Sequence, residues 1–241
     1  MADANFGPLR AAASNRNRQL SEHVATVIRE AIMAGELRGG RFVRTEQLAA
    51  QLQTSATPVR EALMLLHSEG VVRWEPRRGF RVVPVTRRDI IDLFEVAAFI
   101  SGELAARAAP AISEADKAQL YRLQAELEEA SQRGQPDEVF RINHQIHKII
   151  HLPGLSNRLA SQLRTALQYV PAHLYGEVAG WVDASTHDHA AIFAALDAAD
   201  PEGARAAMAE HIRHVGELLA KHLEGSGVFE DQTNEAPVAA L

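Results

Sequence analysis

Between Gln47 and Val83 the chain reads QLAAQLQTSATPVREALMLLHSEGVVRWEPRRGFRVV, and few folds accommodate that order of signals. A short helical run, Gln47–Gln53, meets a polar turn at Thr54–Ala56, and a second helix opens at Thr57-Pro58. Val59, Leu63 and Leu66 recur at i, i+4 and i+7, an apolar stripe that must face a core. Pro58 is tolerated because a first-turn N–H has no intrahelical partner. Two β-prone runs follow, Val71–Trp74 and Phe80–Val83, separated by Glu75–Gly79 with its basic tip Arg77-Arg78-Gly79. Helix, turn, helix and basic hairpin in that order make a winged helix-turn-helix, whose second helix presents its N-terminal part to base edges in the major groove. Arg60 lies in that first turn and off the apolar stripe, which makes it the candidate base reader.

Three blocks within this stretch, TPVREAL (Thr57–Leu63), LHSEGVV (Leu66–Val72) and RRGFRV (Arg77–Val82), resemble the GntR family of bacterial transcription regulators. The resemblance covers roughly residues 17–85 and implies double-stranded operator DNA as the partner. On that resemblance Ser55, Thr57 and Arg60 contact DNA from the helix, and Arg78 and Gly79 from the wing. One position departs from the pattern: Ala56 stands where the family usually carries arginine. One phosphate or base contact is thereby missing, which bears on the operator sequence more than on DNA binding itself.

Charge divides along the same line. The 241 residues carry a net charge of −6, yet residues 1–85 hold 12 Lys/Arg against 8 Asp/Glu, whereas residues 86–241 hold 13 against 23. A basic unit joined to an acidic one suits a DNA reader attached to a sensing or dimerising domain. Arg73, Arg77, Arg78 and Arg81 gather in the wing, where phosphates would lie. The chain has no cysteine, which excludes disulfides and thiolate metal sites and is compatible with a reducing cytoplasm, the expected location. No apolar run approaches the ~18 residues that suggest a membrane span.

The expected organisation is a flexible arm over 1–16, the winged helix-turn-helix over 17–85, an all-α antiparallel bundle over 86–224 and a disordered tail over 225–241. Leu20, Val24, Val27, Ile28 and Ile32 mark the first helix of the DNA-reading unit, closed by Gly35. Past Pro84 the period is helical throughout. Six segments fit: 87–109, 114–133, 136–151, 155–175, 183–199 and 201–223. Ser113 and Asp200 are the expected N-caps of the second and sixth.

Nine of the eleven histidines lie after residue 86. Asn143 and His147 are four apart and share a helical face, and His189 and His211 come from two later helices. Inward side chains on facing helices are the usual way a bundle assembles a metal site. The block from about 87 to 223 resembles the FCD domain, the helical effector domain of a GntR subfamily, and its six helices look like the shorter branch of that group. The resemblance implies a divalent metal held by Asn143, His147, His189 (in DHAAI) and His211 (in MAEHI). Zinc suits the imidazoles best, with nickel or manganese also fitting. Where most relatives carry Asp, Asn143 is a neutral oxygen ligand, which weakens binding. His144, His151, His187 and His214 do not match the spacing and read as surface or supporting groups, with His151 facing the carbonyls that end its helix. Asp188, beside His189, should point away from the metal.

Two other classes are open to such a chain. A metal-dependent hydrolase could use the histidines to activate water, but Lys148 stands where a general base would be in H-E-x-x-H. A purely architectural DNA-binding protein would need a polar-cored acidic bundle only for dimerisation. The reading is therefore a ligand-responsive regulator and not an enzyme: a homodimeric repressor whose metal attracts a small carboxylate such as a hydroxy acid, a dicarboxylate or a sugar acid. In many relatives the first bundle helix offers an arginine to the effector carboxylate; here that position is Ala97.

Overall fold

The computed structural model describes residues 7–167 and 178–229. The arm reading for residues 1–6, the tail reading for residues 230–241 and the end of the 155–175 helix lie outside the described residues. The chain divides into two compact units, Met1–Val85 with Gly227–Leu241, and Thr86–Ser226.

In the first unit, α1 spans Gly7–Met33, so helical backbone extends into the stretch read as an arm, where Ala11, Ala12 and Ala13 are strong helix formers. Helix α2 (Thr45–Gln51) and helix α3 (Ala56–Ser68) follow, and Ser55 is the N-cap residue of α3. Strands β2 (Val72–Glu75) and β3 (Gly79–Val82) form the hairpin, each offset by one residue from its sequence expectation. A third strand, β1 (Phe42–Val43), pairs antiparallel with β3 to give the order β1-β3-β2. It went unforeseen because two residues cannot display an alternation. The core is where the periodicity placed it. Val24, Ile28 and Ile32 of α1 meet Val59, Leu63 and Leu66 of α3, closed beneath by Val72, Phe80 and Val82. Burying such side chains stabilises by about 1.5–3 kcal/mol each.

The second unit is all-helical among the described residues. It comprises α4 (Arg87–Ala108), α5 (Glu114–Gln132), α6 (Pro136–His151), a 3-10 turn at Leu152–Gly154, and α7 (Asn157–Leu167). After the undescribed stretch come α8 (Trp181–His187), α9 (His189–Asp197) and α10 (Pro201–Gly225). Thr86 opens α4 with a capping box to Asp89, and Ser113 and Asp200 accept capping bonds from Asp116 N–H and Glu202 N–H. Helices α4 and α10 approach closely because small residues line the contact. A Cβ on Gly102 would stand 2.8 Å from the Arg205 carbonyl oxygen, and one on Gly216 only 2.6 Å from the Phe94 side chain. Ala97, Ala98 and Ala105 are fully buried in α4.

The single helix expected over 183–199 is two. It begins earlier, at Trp181, and is interrupted at Asp188, whose torsions remain near-helical (φ −69°, ψ −25°). No described helix is long and apolar enough to cross a membrane.

Candidate nucleic-acid interface and metal centre

Extended torsions at Ser55 (φ −81°, ψ 160°) turn the chain into α3, and its hydroxyl makes no capping hydrogen bond. Thr57 and Arg60 are exposed in the first turns while Pro58 and Val59 are buried, so the helix presents one polar edge outward. The two acids of the motif serve a different purpose. Glu61 accepts from the Ser21 hydroxyl, and Glu69 accepts from Nη2 and Nε of Arg29 (2.8 and 3.2 Å), a largely buried pair that ties α1 to the end of α3.

At the wing, Arg78 is 71% exposed, its guanidinium 5.4 Å from the centre of the Phe42 ring and 3.7 Å from Glu75. Gly79 adopts φ +102°, and a Cβ there would stand 3.0 Å from the Val43 carbonyl oxygen. Glycine thus lets β1 close on the hairpin. Arg81 is turned inward, donating to the Gly40 carbonyl (3.1 Å) and pairing with Glu75. Of the four wing arginines, Arg77 and Arg78 are the exposed ones.

In the second unit, α6, α9 and α10 bring His147, His189 and His211 together, with one ligand atom from each lying within 4.8 Å of the others. His211 Nδ1 donates to Asp188 Oδ2 (3.2 Å), which leaves a lone pair on its Nε2; that nitrogen faces His147 Nε2 at 3.2 Å. Two imidazole nitrogens on one small divalent ion, each at about 2.0–2.1 Å, lie roughly 3.0–3.4 Å apart. His189 Nδ1 donates to Gln124 Oε1 (2.9 Å), and its Nε2 is buried without a partner. The Gln124 amide is itself fixed, because its nitrogen donates to Glu128 and to the Thr186 carbonyl. Two rings are thereby held as Nδ1–H tautomers with a lone pair on Nε2, the arrangement metal-ligating histidines adopt. One turn before His147, Asn143 lines the same cavity as His147 and His211, and its Oδ1 is buried and unpartnered.

Protonation is suppressed at His147, His189 and His151. Burial, then the neighbouring imidazoles of His211, His189 and His151, hold His147 well below its ordinary pKa. Burial and the His211 ring push His189 down to about 3 against a small opposing pull from Asp188. Burial and His144 push His151 to about 4. At Asp188 burial is the largest single influence and pulls upward, but hydrogen bonds from His211 and His214 together outweigh it and leave the carboxyl below its usual range.

Residues 20–82 match the family model for bacterial regulatory proteins of the gntR family, and residues 92–214 match the FCD domain. The chain belongs to the GntR family, with an FCD domain. This GntR regulator is 26% identical to the uncharacterized HTH-type regulator YdhC of Bacillus subtilis over 82% of its length and 89% of the relative's. It is 26% identical to the HTH-type regulator McbR of Escherichia coli (79% and 88%), and 22% identical to the E. coli repressor RspR (90% and 97%). A solved structure of E. coli McbR/YncC matches 84% of the GntR regulator and 98% of its own chain, with a TM-score of 0.61 and 25% identity. The family assignment makes the chain a DNA-binding transcription regulator and sets the hydrolase reading aside.

Asp188 lies outside the three-nitrogen cluster, on the outer nitrogen of His211, and also takes His214 Nδ1 at 2.9 Å. One expectation about an individual side chain needs correction. His151 does not cap its helix; it is half-buried, its ring 5.6 Å from that of His147, with a buried Nε2 that has no partner. Gln124 was missed altogether. A glutamine four residues from a glutamate on an exposed-looking helix carries no signal of a role behind a ligand. The pair His211 and His214, three apart with an acid beside His189, was the available clue to Asp188. Ala97 is fully buried and offers only a methyl group where many relatives offer an arginine.

Proposed function

We propose that this GntR regulator is a cytoplasmic, ligand-responsive homodimeric repressor whose helical unit holds a divalent ion and, through it, a small carboxylate. The observation that carries the sensing part is the convergence of His147, His189 and His211, two of them backed on the far nitrogen by Asp188 and Gln124. Asn143 would supply a fourth ligand through its unpartnered Oδ1. All four ligands are neutral, so a bound dication would present net positive charge to an anion, offset in part by Asp188 behind His211. Zinc suits three imidazoles, and nickel or manganese fits the mixed nitrogen and oxygen set.

In the DNA-reading unit, Arg60 would reach a base edge while Ser55 and Thr57 contact phosphates from the start of α3. Arg78 would exchange Glu75 and Phe42 for the DNA backbone, and Gly79 would let the wing tip approach it. Repression is the direction proposed, as in the relative RspR. A homodimer is supported by the outward face of α4, where Phe99 is 75% and Val96 52% exposed, an unusual concentration of apolar surface. The units are joined at Val85-Thr86, so a ligand that favours one setting of α4 can bias the spacing of the two DNA readers.

The test is an operator titration on untagged protein with metal loaded or stripped, each with and without a carboxylate identified by thermal shift. Metal-loaded protein should bind one ion per chain and lose operator affinity when the acid is added. Indifference of operator binding to metal and acid alike would reduce the helical unit to a dimerisation device.

A further inference from the structure

The cavity beside the histidine cluster contains more polar atoms than an ion would use. Its volume is about 520 Å³, the space of roughly 17 bulk waters, well beyond an ion and its own water shell. Besides Asn143 Oδ1, already proposed as a ligand, two buried atoms in its lining, Ser101 Oγ and His151 Nε2, have no hydrogen-bond partner, and neither residue belongs to the three-nitrogen cluster. Ser101 is wholly buried on α4, one turn after Ala97. His151 closes α6. A buried donor left unpaired is costly, and such groups persist where a ligand supplies the partner.

Apart from the proposed ligands Asn143, His147 and His211 and the imidazole of His144, the rest of the described lining is of another character. Phe94, Phe140, Leu163, Trp181, Ile212 and Val215 supply apolar walls, while Lys148 and Arg164 are exposed at the rim. A sugar acid would bury several hydroxyls against those rings without partners, and each would carry a desolvation cost. A hydrocarbon body there is instead stabilised by every contact.

We propose that the effector is a monocarboxylic acid with an alkyl or aryl body. Its carboxylate takes hydrogen bonds from Ser101 Oγ and His151 Nε2, and its body packs against Phe94, Phe140, Trp181 and Ile212. The proposal rests on the reading of the helical unit as a carboxylate sensor, and it narrows the class: hydroxy acids, dicarboxylates and sugar acids are the wrong shape of polarity. Ser101 and His151 take over the recognition that Ala97 cannot provide.

The test is calorimetric titration of the full-length, metal-loaded protein with octanoate, benzoate, gluconate, succinate and octan-1-ol. The titrations are repeated for Ser101→Ala and His151→Phe, with metal content measured in each. At least one of octanoate and benzoate should bind ten-fold or more tightly than gluconate and succinate. Each variant should weaken that acid several-fold to about ten-fold at unchanged metal content. Tighter binding of gluconate or succinate overturns the apolar body while leaving the carboxylate reading in place. Octan-1-ol binding as well as octanoate, or no binding by any acid, overturns the carboxylate reading and this proposal with it. Undiminished affinity in Ser101→Ala and His151→Phe removes those two residues from the subsite.

Discussion

The two units deploy polar side chains in opposite ways. In the DNA-reading unit the core is apolar and the proposed contacts, Thr57, Arg60 and Arg78, stand exposed. In the helical unit the chemistry is interior: His189 and His211 are almost wholly buried, and unpartnered atoms of Asn143, Ser101 and His151 lie beside them. An exposed recognition surface costs little to maintain, because water satisfies it until DNA arrives. A buried polar cluster is costly until an ion and a ligand satisfy it. Stability and binding should therefore be coupled in the second unit and nearly independent in the first.

The most severe test of that contrast removes an imidazole of the cluster. His147→Ala and His189→Ala should each take metal content from about one ion per chain to none, and abolish the rise in melting temperature that metal gives the wild type. Full occupancy measured by elemental analysis in both variants would dissolve the proposed centre.

On the exposed side the counterpart is Arg60→Ala. It should weaken specific operator binding by about 1–3 kcal/mol, roughly five-fold to 150-fold, with no change in melting temperature. Arg78→Ala should weaken all sequences alike and lower the salt slope by about one. Anisotropy titrations across ionic strength separate the two. A large thermal effect of Arg60→Ala would erase the contrast between the units.

Asp188→Asn sharpens the comparison without removing a ligand. An amide can still accept from His211 Nδ1 but no longer offsets the ion's charge, and losses of roughly 10–100-fold in metal affinity are usual for such supporting groups. Competition with a chromophoric chelator measures it. Equal affinity for Asn and Asp would show that Asp188 only orients the ring.

The final test is pH, applied to metal-free protein. His189 and His151 have folded pKa values of about 3 and about 4, against an ordinary value near 6.5. Their unfolded forms bind protons first on acidification, so their stability contribution is complete above about pH 6.5 and falls as pH drops towards 4. Melts between pH 8 and pH 4 should show a steady decline over that window, which metal loading moves to lower pH. A level curve would mean that these rings are solvated.

Much of this was legible in local pattern. The stripe Val59, Leu63, Leu66 and the caps Ser113 and Asp200 depend on neighbours within a turn or two, and the structure places them accordingly. Less legible features need distant partners. Strand β1 exists only because β3 lies beside it, and the acids Glu61 and Glu69 in the motif find their role only when α1 is present. His151 read as a helix-end residue because its surroundings come from other helices.

By itself the sequence determined most of the order of elements, the boundary between basic and acidic parts, the family, and which residue types could hold an ion. All of these follow from short-range periodicity, capping and motif spacing. Tertiary structure alone decided that Gln124 and Asp188 stand behind His189 and His211, and that Ser101 and His151 leave unpartnered atoms among aromatic walls. Residues from 94 to 215 in the chain meet around one cavity, and the identity of a side chain does not encode which others fold against it. Hydrogen-bond complementarity across such separations is a property of the packed helices, set when the apolar faces of α4, α6 and α10 come together.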